Sequence, residues 1–387
     1  MQQRFKDLIT AIRESNGYDS ISLHEPKFNE SDKKTVLNCI DSSYVSSVGE
    51  NVRKVESKLQ EITGSKYAIA TSTGTAALHT SLILAKVTVD SEVLTQSLSF
   101  IATANAISYC GAKPIFIDID LETMGMCPKS LKLFLEKNAF LKKGKCFNKL
   151  SGKVIAACVP VHTFGHPAKI DAILEICNEW NISLIEDAAE SLGSRYLDKH
   201  TGTFGLISAT SFNGNKIVTA GGGGCVFTNS EELAIKARHI TTTARLIHPW
   251  EIGHDEIGFN YRMPNINASL LLSQLNRFSE ILSKKRSLSH RYHQYCKESG
   301  INFLCEPKKT YSNYWLNQIM VDNLEERNQV LSYGHKLGVQ VRPCWQLLPS
   351  LKMYKNCYQF NIVNAKKAYE TLVSLPSSPH LKLEFNI

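Results

Sequence analysis

The residue with the most distinctive chemical setting is Lys216, in the stretch Thr210-Ser211-Phe212-Asn213-Gly214-Asn215-Lys216-Ile217-Val218-Thr219-Ala220 that runs into Gly221-Gly222-Gly223-Gly224. A lysine amine held neutral in an enclosed site attacks carbonyls and forms a Schiff base. Small polar residues can hold the approach to it, and glycines let the backbone bend close to a bound group. A lysine alone fixes nothing, because most are solvated surface residues. Two upstream stretches add weight. Thr71-Ser72-Thr73-Gly74-Thr75-Ala76 lies between an expected strand and an expected helix. The free N–H groups of a helix start favour a phosphate, although serine and threonine are also ordinary helix caps. No Gly-Lys-Ser/Thr ending follows, so this is not a Walker loop. Ile185-Glu186-Asp187-Ala188-Ala189-Glu190-Ser191 sets a carboxylate just past a buried strand, where it is costly unless it has a partner. A protonated ring nitrogen would be such a partner; a capped turn is the other reading.

Lys216 follows Asp187 by 29 residues, and Ser211 precedes the lysine by five. Phosphate cradle, carboxylate and lysine in this order point to pyridoxal 5′-phosphate, whose ring nitrogen needs a carboxylate partner to act as an electron sink.

The elements that must position these groups alternate along the chain. Strands are expected at 67–71, 92–95, 114–118, 154–161, 182–186, 209–212 and 225–227, with helices at 75–85, 101–109 and 169–180 between them. Such alternation predicts a mixed, mostly parallel sheet covered on both faces, with ligands at the carboxyl ends of its strands. Residues 1–30 are polar and weakly patterned, an arm or a lead-in helix, and two helices flank the hydroxyl-rich loop 42–49. Residues 31–265 form the expected large domain. From Ile266 the apolar spacing (Leu270, Leu271, Leu275, Phe278, Ile281, Leu282, Leu288) predicts one long helix into a small α+β domain ending at residue 387.

Composition excludes several classes. Of the 387 residues, 43% are hydrophobic and 21% charged, ordinary for a globular protein, and the net charge is +8. Much of the basic excess (Lys137, Lys142, Lys143, Lys145, Lys149, Lys153) falls in one loop-like segment without interleaved aromatics, which argues against nucleic acid. The eleven cysteines are scattered without a Cys-x-x-Cys pair, arguing against a zinc site or a disulfide framework and for a reducing compartment. With no apolar run of membrane-spanning length and no signal-like start, the expectation is a cytoplasmic protein.

Six stretches together carry a specific resemblance: 72–78 (Ser-Thr-Gly-Thr-Ala-Ala-Leu), 99–106, 114–118, 185–190, 211–216 and Gly258-Phe259-Asn260-Tyr261-Arg262-Met263. The chain resembles, from about Asn29 to its end, the DegT-type sugar aminotransferases, fold-type I pyridoxal-phosphate enzymes acting on nucleotide-linked keto sugars. The resemblance implies a seven-stranded-type sheet in the large domain, with Lys216 carrying the cofactor and Asp187 pairing with its ring nitrogen. Glu190 would sit near the ring hydroxyl, Gly74, Thr75 and Ser211 would bind the phosphate, and Phe100 would lie over the ring. His162 matches a strand-end motif near the ring, where a structural role and a chemical one are equally open. Asn260 and Arg262 match a segment that reaches the neighbouring subunit's cofactor phosphate, implying a homodimer with shared sites. The glycines after Ala220 depart from the Gly-Glu-Gly-Gly of many relatives but remove no catalytic group.

Within that family, Ser43-Tyr44-Val45-Ser46-Ser47-Val48-Gly49 and Arg342-Pro343-Cys344-Trp345 are similar to enzymes of legionaminic-acid and bacillosamine routes. These use L-glutamate to aminate C4 of a nucleotide-linked 2-acetamido-2,6-dideoxy-4-keto-hexose for surface glycans such as O-antigen; 2-oxoglutarate leaves and the cofactor passes through its pyridoxamine form. Perosamine and viosamine synthases are the alternative. Val48, Gly49, Arg245, Arg342 and Trp345 are the expected substrate contacts. A sugar 3-dehydratase would carry histidine at the position of Lys216, and a non-catalytic cofactor-binding protein would have no need of both lysine and carboxylate.

Overall fold

The computed structural model describes residues 1–17 and 20–384. At its centre is a ten-stranded sheet whose main path runs Tyr67–Thr71, Gly224–Thr228, Ile207–Ser211, Ser183–Asp187, Val154–Val159, Ser91–Gln96, Lys113–Ile117 and Gln359–Phe360. Only Gly224–Thr228 runs antiparallel within that path, against both its neighbours. The seven strands expected from sequence are all present, extended by the short Gln359–Phe360 and by a hairpin, Ala139–Lys142 with Lys145–Asn148.

Parallel strands need helices on both faces, and the core divides accordingly. On one face, Ala77, Leu78 and Leu82 of helix Gly74–Leu84 and Ala237 and Ile240 of helix Glu231–Thr241 pack on Val93, Ile185 and Val226. On the other, Leu131, Phe134 and Leu135 of Pro128–Asn138 join Ile173 and Ile176 of Ile170–Glu179 against Leu94, Ile155 and Leu184. Helix Gly74–Leu84 is apolar around most of its circumference because it is buried along nearly its whole length.

Two expectations are corrected. The basic segment is not a loop: Lys143 (φ 49°) and Gly144 (φ 72°) make a two-residue turn, and Phe140 stacks on Phe147 at 5.6 Å across the hairpin. Two positive φ values at the turn match the right-handed strand twist, so the hairpin forms despite its lysines. The long helix is two helices, Asn265–Asn276 and Phe278–Glu298, broken at Arg277 (φ −106°). The guanidinium of Arg277 turns to Asp32 Oδ2 at 2.6 Å, tying the break to the capping box that starts helix Glu30–Asp41.

Helix Phe278–Glu298 leads to a four-stranded antiparallel sheet of Asn302–Phe303, Asn317–Met320, Leu372–Leu375 and Arg342–Pro343. The N-terminal helix Gln3–Asn16 packs there. Phe5, Leu8, Ile9 and Ile12 are fully buried in one cluster with Leu288, Tyr292, Val330 and Leu375. Each such side chain contributes roughly 1.5–3 kcal/mol relative to exposure, which holds the N-terminal segment to the C-terminal core. Among the described residues no helix is long and apolar enough to cross a membrane.

Candidate active site

Strand register brings the separate motifs together. Thr71 and Ser211 both pair with Gly224, so the ends of three strands lie side by side. The turn after Thr71 passes so close to Ser211 that a Cβ on Gly74 would lie 2.7 Å from the serine Cβ, a contact no side chain tolerates. Thr73 caps the helix by accepting from the Ala76 N–H at 3.0 Å. The amides of Gly74 and Thr75, in the first turn of the helix, are of the kind left without an intrahelical acceptor.

The loop carrying Lys216 is pinned at its base: the Phe212 N–H donates to Gly223 O at 2.8 Å and the Ala220 N–H to Phe212 O at 2.9 Å. Its lysine side chain points into a cavity of about 340 Å³ lined by Gly74, Thr75, Phe100, Asp187, Glu190, Ser211, Lys216, Trp315 and Trp345, among others. Asp187 ends its strand inside this cavity, 3% exposed. Its Oδ2 accepts from Thr103 Oγ1 at 2.7 Å and its Oδ1 from the Ala189 N–H at 3.1 Å. Burial raises the Asp187 carboxyl above its ordinary range, against these hydrogen bonds and the field of Lys216, so the acid lacks a full complement of partners for its charge.

Lys216 Nζ lies 3.6 Å from Glu190 Oε1 and 3.8 Å from the centroid of the Trp315 ring. Burial lowers the amine's proton affinity, with Glu190 and Asp187 opposing. Burial pushes the Glu190 carboxyl up to about 7, while Lys216 and the Phe164 N–H, 2.8 Å from Oε2, pull it down. The lowered Lys216 amine and the raised Glu190 carboxyl thus stand side by side, a pairing suited to general base work.

Other expected residues lie elsewhere. His162 is fully buried outside the cavity lining: Nδ1 accepts from the Ala168 N–H at 3.1 Å, so Nε2 carries the proton and faces Glu186 Oε2 at 3.0 Å. Both ring nitrogens are engaged, and the ring braces Glu186. That carboxylate is raised by burial but held below its ordinary range by His162 and the Gly205 and Gly202 amides. Arg262, expected to reach another subunit, turns inward: its Nη2 meets Glu56 Oε1 at 2.9 Å, and Arg238 Nη2 meets Glu56 Oε2 at 2.9 Å. Asn260 is exposed. Val48 (74% exposed), Arg245 and Arg342 are exposed and outside the cavity lining, and Gly49 is the N-cap of helix Glu50–Thr63. Trp345 alone of the expected substrate contacts lines the cavity, stacked on Phe164 at 5.1 Å and edge-on to Phe100 at 6.5 Å.

Sequence reasoning missed Thr103 and Trp315. Thr103 sits within the stretch 99–106 but looks like any helical hydroxyl. Trp315 is 100 residues from Asn215, whose carbonyl accepts its indole N–H at 2.6 Å, and only tertiary packing brings them together.

The layered sheet, the small antiparallel domain and the lysine–aspartate cavity at the strand ends define a fold-type I pyridoxal-phosphate transferase. The chain belongs to the DegT/DnrJ/EryC1/StrS aminotransferase family, whose model matches residues 26–385; its members are sugar aminotransferases dependent on that cofactor. It is 34% identical over 368 residues to a GDP-perosamine synthase of Escherichia coli O157:H7, covering 94% of this chain and 95% of the relative. A GDP-perosamine synthase of Vibrio cholerae is 29% identical, with 93% and 95% covered. Helicobacter pylori PseC, an aminotransferase involved in the biosynthesis of pseudoaminic acid, superposes with a TM-score of 0.84 at 26% identity over 94% of this chain and 95% of its own.

Proposed function

We propose that this protein transfers the amino group of L-glutamate to the C4 ketone of a nucleotide-linked 4-keto-6-deoxyhexose, releasing 2-oxoglutarate. The observation that carries this reading is the facing of a buried amine, Lys216, and a buried, under-partnered acid, Asp187, across one cavity with a glycine-lined helix start at its edge. That donor set fits pyridoxal 5′-phosphate. The Gly74 and Thr75 amides with Ser211 would hold the phosphate, Asp187 the protonated ring nitrogen, Glu190 the ring hydroxyl, Phe100 one ring face and Lys216 the aldehyde carbon. When bound, the cofactor supplies an electron sink for the bonds broken at the amino-bearing carbon.

The chain's own groups do the rest. Lys216 Nζ takes the proton from Cα of L-glutamate and, in the second half-reaction, delivers one to C4 of the sugar. Glu190, beside it, opposes the loss of the amine's proton that burial favours. Phe100, Trp315 and Trp345 wall the cavity with apolar surface and limit water. Exposed Ile247 (104%), Trp250 (80%) and Ile257 (86%) on the loop before Asn260 give a second copy of the chain an apolar surface, supporting a homodimer in which Asn260 reaches the other site.

For the sugar, the two GDP-perosamine synthases favour a GDP-linked substrate, while loop 43–49 and Arg342–Trp345 favour a nucleotide-linked 2-acetamido sugar. Pure protein incubated with pyridoxal phosphate should turn yellow and bleach with L-glutamate. GDP-, UDP-2-acetamido- and dTDP-linked 4-keto-6-deoxyhexoses should then be compared by product mass. Amination of one of them is expected; bleaching without amination of any would leave the donor half standing and remove the sugar half.

A further inference from the structure

One wall of the cavity includes an aromatic ring whose position no motif predicts, and its contacts are unusually directed. Trp315 is 4% exposed and comes from the segment that enters the small domain's sheet. Its ring face receives Lys216 Nζ at 3.8 Å, while its indole N–H donates to the carbonyl of Asn215, the residue before that lysine, at 2.6 Å. The segment itself is clamped. The Trp315 N–H donates to Asn313 Oδ1 at 2.8 Å, and Asn313 Nδ2 donates to Glu190 O and Leu192 O, each at 2.9 Å. The Trp315 carbonyl accepts from Lys285 Nζ at 2.9 Å, a fully buried lysine on the helix joining the two domains. One side chain therefore holds both the lysine's backbone and its amine.

We propose that Trp315 is a positioning residue that docks the Lys216 ammonium on its ring face whenever that amine is free of the cofactor. This rests on the reading of Lys216 as the cofactor-bearing and proton-moving lysine. That chemistry must release the amine in each half-reaction, and a released lysine with four rotatable bonds would otherwise sample the cavity. A tryptophan face attracts a desolvated ammonium by about a factor of ten or more in equilibrium terms. It does so without the fixed charge of a carboxylate, so the amine can leave again. The charged groups facing the amine are Glu190 and Asp187 within the cavity; His24, whose proton affinity burial lowers, lies by the Asn215 backbone. Among these contacts only the ring is both close and uncharged, so its removal should change the amine's proton affinity without altering the net charge of the site.

The test is competitive acylation of Lys216 in the full-length protein without cofactor, read by peptide mass across a pH series. In Trp315→Leu the titration midpoint of Lys216 is expected to fall by about one unit, making the amine roughly tenfold more reactive at a fixed pH below the midpoint. Trp315→Phe keeps a ring and loses the N–H bond, and should stay within about threefold of the parent. An unshifted midpoint in Trp315→Leu overturns the proposal, as does an equal shift in Trp315→Phe, which would assign the effect to the Asn215 hydrogen bond. Should Trp315→Leu not fold, indole fluorescence against pH decides. The parent should show a transition at the Lys216 midpoint that Lys216→Met lacks, and identical curves refute the docking. Acylation needs no cofactor, so its result is separate from failure of the protein to bind pyridoxal phosphate.

Discussion

The floor of the cavity and its rim are built on different principles. Floor residues hang from strand ends whose register is fixed by a buried sheet: Asp187 is 3% exposed, and Thr71, Gly224 and Ser211 are locked abreast. The rim, meaning the substrate contacts expected outside the cavity lining, sits on loops and short strands with little to fix it; Val48 is 74% exposed. A sheet slipped by one residue would turn every side chain to the other face, so floor geometry is specified by the whole core. Rim geometry is left to assembly and to the substrate. Substitutions in the floor should therefore act on chemistry, and substitutions at the rim on binding alone.

The largest effect should come from Lys216→Ala. Proton transfer by a placed group is worth on the order of 100- to 10,000-fold, and loss of the nucleophile adds to it, so turnover should fall below detection in a glutamate-coupled assay. Measurable turnover at a tenth of the parent rate would move the chemistry to another group. Asp187→Asn comes next. It keeps the shape and the Thr103 hydrogen bond but loses the charge that favours a protonated ring nitrogen. Turnover is expected to drop on the order of 100-fold in stopped-flow bleaching with L-glutamate. An equal drop from Arg245→Ala would erase the distinction between floor and rim.

The same distinction explains what could be read from the chain. That Lys216, Gly74 and Ser211 meet in one cavity was legible because a strand followed by a glycine-bearing turn is a local pattern with a local cause, and Asp187 because it ends a buried strand. The fold was legible for the same reason, since buried strands and helices alternate in stretches that each carry their own periodicity. His162 shows the boundary. Its strand-end setting was visible in the sequence, but the direction of its ring depends on Glu186 and the Ala168 amide. The ion pair of Arg262 was hidden likewise, because Glu56 lies far off in sequence. The 139–148 hairpin was hidden by its lysines, since Lys142 and Lys145 share a face with the stacked Phe140 and Phe147 while Ala139 and Cys146 turn to the buried side.

Glu190 tests the floor through stability. Its carboxyl is raised from an ordinary 4.5 to about 7 by burial, so between these values the folded chain binds more protons than the unfolded chain. The stabilisation is complete below about pH 4.5 and is lost as pH rises through about 7. Lys216, lowered by burial, has the opposite slope, since above its folded value the folded chain binds fewer protons than the unfolded one. Glu190→Gln should therefore flatten the fall in urea midpoint from pH 5 to pH 7.5, a change of about 1–3 kcal/mol in the cofactor-free protein. Parallel curves for variant and parent would mean that Glu190 stays ionised in the folded chain.

The smallest effects belong to the rim, and Arg342 is the sharpest case. It is exposed, its strand pairs with Leu372–Leu375, and Trp345 three residues on lines the cavity, so it is the residue through which the proposed nucleotide contact is tested. Two unit charges 4 Å apart in water interact by only about 1 kcal/mol, and salt screens them further. Arg342→Ala should thus raise the KM for the nucleotide sugar about three- to fivefold, leave kcat and the glutamate half-reaction unchanged, and lose most of its effect in high salt. A fall in kcat insensitive to salt would mean that the small domain closes over the substrate and buries this arginine, making rim and floor a single site during turnover.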